Sequence, residues 1–443
     1  MKKIFGIKEL KKVLDNSPRN SDISNQAVLD GIFQIFGKKM SVSEVCLEIL
    51  NDIDKNGDFA LKKLCEKLDG SKLENFQVSE TLINRSLDQI SPEIINSMKV
   101  ASERIKDFQM NIMPSSWFNK EKGLGEIVRP IEKVLCYVPG GLTPLISTVL
   151  MTAIPAKIAG VKELIVTSPI KNNMNENPYI LAACKISGVD KVFNIGGAQA
   201  IAAFALGTES IPKVDLICGP GNIFVTEMKK KIFGKVGIDG LFGPTETMII
   251  ADENANPELC AADLIAQAEH DQLAFPVLVT NSLELSNNVE EYLTKQLNNI
   301  SRKNIAEESL QNRGMNILVS DINEAIEIAN FIAPEHLSLL VDDPKIYVEN
   351  LNNLGGLFLG EVSGEVIGDY IAGPSHVMPT EGSARFASSL SVRNFLKFIP
   401  IVNINKDDLS LLSNDVINLA QLEDLHGHAE AAKLRKKIIL EDS

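Results

Sequence analysis

Five histidines occur in the 443-residue chain, His270, His336, His376, His426 and His428, and none precedes residue 270. Imidazole changes charge close to neutral pH and is a common zinc ligand. A site that uses it must therefore draw on the C-terminal part of the chain. The histidines fall in four short motifs, each of which also supplies a carboxylate or an amide. LIAQAEHDQ places Gln267 and His270 three apart, on one face near the end of a helix. FIAPEHLSLL sets Glu335 beside His336 in an apolar run, where two titratable groups are costly unless partnered. VIGDYIAGPSHVMPT carries Asp369 and His376 around two glycines. LEDLHGHAEAA offers Glu423, His426 and His428. Glu423 and His428 lie about 140° apart round a helix, so sharing a site requires a bend at Gly427 or a substrate between them.

Structural readings stand beside these. Gln267 with His270 makes a polar helix terminus, and Asp369 suits a glycine-rich turn. A borderline-soft cation with oxygen and nitrogen ligands would suit Gln267, His270, Asp369 and His428, and zinc fits that mixture. Spacing alone does not select this set.

The elements that must position these residues alternate. VLCYV, ELIVTS, KVFNIG and VDLICG read as strands, separated by the helical STVLMTAIPAKIAG, NPYILAACKISG and AQAIAAFALG. After Pro244 the pattern restarts with ETMIIAD, PVLVT, MNILVSD and GGLFLGE as strands and PELCAADLIAQAEH, SLELSNNVEEYLTKQL and DINEAIEIANFI as helices. Such alternation implies parallel sheets with right-handed crossovers. The expected fold is α/β, two tandem, incomplete Rossmann-like units with a short N-terminal arm and a small helical C-terminal segment. YVPGGLTP, GGAQA and CGPGN put glycines after strands, where ligands of open α/β sheets bind. No GxGxxG occurs, so these residues alone leave nucleotide binding and ordinary tight turns both open.

Composition narrows the class. The chain is 44% apolar with a formal charge of −14, which repels phosphate backbones and anionic lipid and argues against nucleic-acid or membrane-surface work. It lacks a run long enough to span a bilayer and an apolar core for a signal peptide, so a cytoplasmic location is expected. Six scattered cysteines without a CxxC spacing fit buried thiols in a reducing compartment. The helical tail from about residue 391 is too small to build its own core and must lie on the rest of the chain or on a partner.

Taken together, QAEHD, APEHL, GDYIAGPSHVMPT, YVPGG, GGAQAIAA, GPGN and the terminal ExLxxH, in register over roughly residues 25 to 435, resemble histidinol dehydrogenase. The resemblance implies a zinc-containing homodimer that makes L-histidine from L-histidinol by two successive NAD-dependent oxidations through a bound aldehyde. It implies an arm over 1–29, a first α/β domain from 30–135 plus 247–383, an NAD-binding domain over 136–246, and a C-terminal segment, 384–443, that reaches the partner's site. Gln267, His270, Asp369 and His428 would hold zinc. Tyr137, Gln199 and Asn222 would contact NAD. Thr245, Gln267, His270, His336, Asp369, Glu423 and His428 would contact substrate, and Glu335 with His336 would be the acid–base pair. Thr245 stands where the family has Ser, and Ser375 where Asn is expected. His336 would remove the hydroxyl proton, and Glu335 would activate the water of the second oxidation. A zinc hydrolase could use the same His, Glu and Asp set without needing the glycine turns. A non-catalytic metabolite-binding relative would be marked by loss of Glu335 or His336, and both are present.

Overall fold

The β-branched runs that end in glycine turns are strands in the computed structural model, which describes residues 1–16, 26–140, 145–171 and 176–441. Gly141 to Pro144 of the YVPGGLTP turn lie outside the described residues. In chain order the described strands are β1 (Lys2–Phe5), β2 (Trp117–Asn119), β3 (Leu124–Pro130), β4 (Lys133–Tyr137), β5 (Glu163–Thr167), β6 (Lys191–Phe193), β7 (Leu216–Cys218), β8 (Gly237–Ile238), β9 (Glu246–Ala251), β10 (Phe275–Thr280), β11 (Met315–Leu318), β12 (His336–Leu340), β13 (Gly356–Leu359) and β14 (Leu396–Val402).

Residues 1–113 and 131–395 form one compact unit that carries two parallel sheets. The first has the order β6-β5-β4-β7-β8, with every pair parallel. Leu135, Tyr137, Ile165, Phe193 and Ile217 pack one face of it against helices Val42–Asp69, Gly197–Leu206 and Ile223–Ile232. The strand order reverses between β4 and β7, each of which leads into a glycine turn. A crevice at such a reversal is where open α/β sheets bind ligands.

The second sheet has the order β1-β11-β10-β9-β12-β13 and is also parallel. Both faces of its centre are covered, so β9 and β10 are buried at every position instead of alternating. Met248, Ile250, Leu337 and Leu339 point to one side with helix Ile322–Ile332, while Ile249, Ala251 and Leu340 point to the other with helix Pro257–Ala268. Side chains alternate along a strand, so His336 and Ser338 share the face of Leu340. Residues 2–16 of the expected arm form β1 and helix Gly6–Asn16, with Ile4 and Leu10 fully buried in this core.

Residues 114–130 and 396–443 form the second unit. β3 pairs antiparallel with β14 and β2, and helices Lys406–Leu422 and His426–Glu441 pack on each other. Leu411, Leu419, Leu422 and Leu434 of these helices are exposed in the single chain. Among the described residues no helix is long and apolar enough to cross a membrane.

Candidate active site

The site grows from the backbone of one residue, Glu246, at the head of β9. Helix Ile322–Ile332 ends at Ala333, whose left-handed backbone (φ 52°) turns the chain through Pro334 into β12. β12 runs beside β9 with His336 opposite Thr247. The Glu246 N–H donates to Glu335 Oε2 at 2.9 Å, and the Glu246 carbonyl lies 3.1 Å from His336 Nδ1. A carbonyl can only accept, so Nδ1 carries a hydrogen and the neutral ring has its lone pair on Nε2. Nε2 sits 3.4 Å from Asp369 Oδ1, an ion-pair distance at which this buried nitrogen has no hydrogen-bond partner. The ring stacks on Phe358, centroids 5.9 Å apart.

Burial opposes a charge on His336, but the carboxylates of Glu335, Asp369 and Glu365 outweigh it and raise the imidazole well above its ordinary pKa. For Asp369 burial likewise acts upward, yet the neighbouring His336, with His376 and His270 further off, holds the carboxyl below its usual range. The imidazole and the carboxylate thus favour each other's charged forms.

Around this pair the two loops of the notable motifs close in. Gln267, in the last turn of helix Pro257–Ala268, donates from Nε2 to Asp369 Oδ2 at 3.0 Å. Its Oε1 lies 3.2 Å from the Thr245 hydroxyl, which also reaches Glu335 Oε2 at 2.9 Å. The hydroxyl expected at position 245 therefore bridges the acid–base pair to the amide. Ser375 is buried, and its Oγ accepts from the Val377 N–H at 3.2 Å.

These side chains line a cavity of about 1080 Å³, within the first unit and large enough for a small polar molecule together with part of a dinucleotide. Its opposite wall comes from the other sheet through Pro139, Pro220, Gly221 and Asn222. Asn222 Oδ1 caps the helix Ile223–Ile232 by accepting from the N–H groups of Phe224 and Val225. Tyr137 and Gln199 are buried and engaged by the protein itself. The Tyr137 hydroxyl accepts from Gly197 N–H at 3.2 Å, and Gln199 Nε2 donates to Asp69 Oδ2 at 2.9 Å.

His270 lines the cavity but not from the helical face that the spacing implied. Helix Pro257–Ala268 stops two residues earlier, and His270 is an exposed turn residue. The helix ends there because Gln267 O is taken by the N–H groups of Glu269 and His270, which tightens the last turn. Glu423 and His428 belong to the second unit, where Glu423 ends helix Lys406–Leu422, His428 lies in the first turn of helix His426–Glu441, and both are exposed. The sharp turn between them falls at Asp424 (φ 59°), not at Gly427. Among the described residues no three His, Cys, Asp or Glu side chains converge as a finished metal cage.

Two neighbours, Glu365 and His376, were given no role from the sequence. Glu365 is completely buried, accepts from Thr247 Oγ1 at 2.7 Å and Ser338 Oγ at 2.8 Å, and leaves Oε2 without a hydrogen bond. Burial pushes its carboxyl up to about 7, against the pull of His336. Its spacing of four from Asp369 on one helix face was the available signal. His376 lines the same cavity, with Nδ1 2.9 Å from the Asp369 carbonyl and Nε2 3.3 Å from Thr148 Oγ1, and burial lowers its pKa.

Comparison with known proteins fits this geometry. The family model described as histidinol dehydrogenase matches residues 37–436. The chain belongs to the histidinol dehydrogenase family. Histidinol dehydrogenase of Dehalococcoides mccartyi is 46% identical over 87% of this chain and 89% of its own length. That of Thermus thermophilus is 45% identical over 89% of this chain and 95% of its own. The crystal structure of histidinol dehydrogenase from Elizabethkingia anophelis superposes with a TM-score of 0.89 at 32% identity, covering 99% of this chain and 98% of that one. Membership in the histidinol dehydrogenase family makes the chain an oxidoreductase of histidine biosynthesis.

Proposed function

We propose that this chain oxidises L-histidinol to L-histidine in two NAD-dependent steps, holding the aldehyde between them. The observation that carries the reading is the backbone of Glu246, which holds Glu335 through its N–H and His336 through its carbonyl. Both contacts start from one residue of a buried strand, which sets a base and a carboxylate side by side, with His336 lining the cavity.

In the first step His336 Nε2 takes the proton of the substrate hydroxyl as hydride leaves the carbinol carbon. In the second, Glu335 takes a proton from the water that adds to the aldehyde while His336 returns its proton to the carbonyl oxygen, and the neutral His336 then removes a hydroxyl proton of the resulting hydrate as the second hydride departs. NAD would supply the acceptor for both hydrides, held across the crevice by residues 136–246, with Tyr137, Gln199 and Asn222 as the expected contacts. Tyr137 and Gln199 act from beneath the glycine turns, and Asn222 from the cavity wall.

The donors fit a zinc ion. Gln267 and Asp369 already touch, and His270 lines the same cavity. Oxygen and nitrogen donors of this kind suit a borderline-soft cation. Gln267, His270, Asp369 and His428 would hold zinc, which would fix the substrate amine and imidazole without carrying electrons. Glu423 and His428 would come from the tail of a second copy in a homodimer, and Glu423, with Thr245, Gln267, His270, His336, Asp369 and His428, would contact substrate. The exposed leucines of the tail support pairing with another chain. A cytoplasmic location, expected from the sequence, is part of the same proposal.

The test is a spectrophotometric assay of zinc-loaded protein with L-histidinol and NAD, with product identified by chromatography. NADH and histidine together support the reading; zinc-loaded protein that forms neither refutes it.

A further inference from the structure

The loop that forms the far wall of the cavity is held from below by an ion pair that the chemistry does not use. Lys229, in helix Ile223–Ile232, and Asp239, just after β8, are 2% and 0% exposed, with Nζ 2.5 Å from Oδ1. They grip one residue from both sides. Asp239 Oδ2 accepts the Gly219 N–H at 2.7 Å, and Lys229 Nζ donates to the Gly219 carbonyl at 3.1 Å. Gly219 has φ +109°, and a Cβ there would lie 2.1 Å from the Tyr137 carbonyl, so the backbone is in a conformation other residues resist. Asp239 Oδ1 also accepts the Gly240 N–H at 2.9 Å, and Lys229 Nζ lies 4.9 Å from the Phe242 ring, which lines the cavity. The pair therefore ties together the Pro220–Gly221–Asn222 edge and the Phe242–Gly243 edge.

A buried ion pair is a poor way to gain stability, because apolar residues of similar volume do as well or better. What this one adds is a fixed geometry for a loop that must approach a ligand closely. We infer that Lys229 and Asp239 are positioning residues for the dinucleotide, presetting the loop 219–222 and Phe242 so that cofactor binding does not have to order them. The inference rests on the NAD reading above. It concerns residues on the side of the cavity away from Glu335 and His336, so its effect falls on cofactor binding and not on substrate binding or chemistry.

The experiment uses the full-length, zinc-loaded enzyme with both partners replaced by apolar residues, Lys229→Met with Asp239→Leu, which removes the clamp without stranding a buried charge. With the unfolding temperature unchanged, the KM for NAD should rise about tenfold, equivalent to 1.4 kcal/mol. The KM for L-histidinol and the single-turnover rate at saturating NAD should stay within about twofold, a split that a general loss of structure would not give. Asp239→Asn, which keeps the shape, should raise the NAD KM by less, and Lys229→Arg should restore part of the loss seen with Lys229→Met. An unchanged NAD KM in the folded double variant overturns the inference, as do equal rises in both KM values. Where the double variant does not fold, an unchanged NAD KM in Asp239→Asn overturns it. Wild-type enzyme separates the two readings. No NAD reduction by wild type defeats the cofactor assignment itself, whereas normal wild-type kinetics with an unaltered variant defeats only the clamp.

Discussion

Replacing Glu335 by Gln tests the division of labour within the acid–base pair. Oε2 of Glu335 accepts from the Thr245 hydroxyl and the Glu246 N–H, both at 2.9 Å. A Gln oxygen in the same place keeps both bonds but loses their charge assistance. Hydrogen bonds to charged groups contribute about 1.5–3 kcal/mol and neutral ones about 0.5–1.5, so the two together cost about 2 kcal/mol. That is well inside the roughly 5–15 kcal/mol of an ordinary domain, and the protein stays folded. Catalysis should suffer selectively. General-base removal costs about 10²–10⁴-fold, or about 3–5 kcal/mol of barrier. It should fall on hydration of the aldehyde, because His336 keeps its Glu246 contact and its place beside Asp369. In a stopped-flow experiment with enzyme in excess over L-histidinol, Glu335→Gln should form the first NADH near the wild-type rate and stall before the second. Equal slowing of both phases, or an unaffected second phase, would refute the assignment.

Other consequences are as direct. His336→Ala should slow turnover at least about 10²-fold, the scale of a lost general base, while retaining zinc by elemental analysis. His428→Ala should lower the zinc content, and equal metal loss in both variants would contradict the separation of roles. Mixed dimers of Glu335→Ala and His428→Ala subunits should regain activity that neither parent homodimer has, because one site in the hybrid receives an intact core and an intact tail; inactive hybrids would contradict a tail acting in trans. Glu365 carries a pH signature. Its folded pKa is raised from 4.5 to about 7, so the folded state binds the extra proton between these values, and the contribution of Glu365 to stability is greatest below 4.5 and falls as pH rises toward 7. The loss is on the order of 3 kcal/mol. Urea unfolding of chelator-treated protein across this range should show Glu365→Gln losing less stability than wild type, and parallel curves would contradict a buried, strained carboxyl.

The sequence patterns that proved legible are those set by local chemistry. The eight strands read from it are all present, since Val- and Ile-rich runs ending in glycine turns leave few alternatives, and the restart after Pro244 does separate β4–β8 from β9–β13. β12 was hidden because HLSLL is an apolar run too short to tell strand from helix. β1 was hidden because KKIF commits one residue, Ile4, to the core and leaves Phe5 exposed. The pairing of β3 with β14 joins segments far apart in the chain, and so gathers residues 114–130 with the tail in a way no local pattern records.

The same division runs through the site. Glu335, His336, Gln267 and Asp369 stood out as titratable or amide residues in short motifs, Thr245 came only with the family resemblance, and the structure brings all five together. Glu365 escaped notice because its role depends on the register that aligns Thr247 of β9 and Ser338 of β12 beneath it. The N–H and carbonyl of Glu246 escaped because backbone groups leave no trace in residue identity. His270 was placed on the helix face by spacing alone, which cannot show that the last turn tightens at Gln267.

The most direct measurement of the central claim is the NADH yield from a limiting amount of L-histidinol in the presence of an aldehyde-trapping hydroxylamine. A site that oxidises twice without releasing its intermediate gives two NADH per histidinol, histidine as product, and no trapped aldehyde. One NADH per histidinol with the oxime of the aldehyde accumulating would contradict the account.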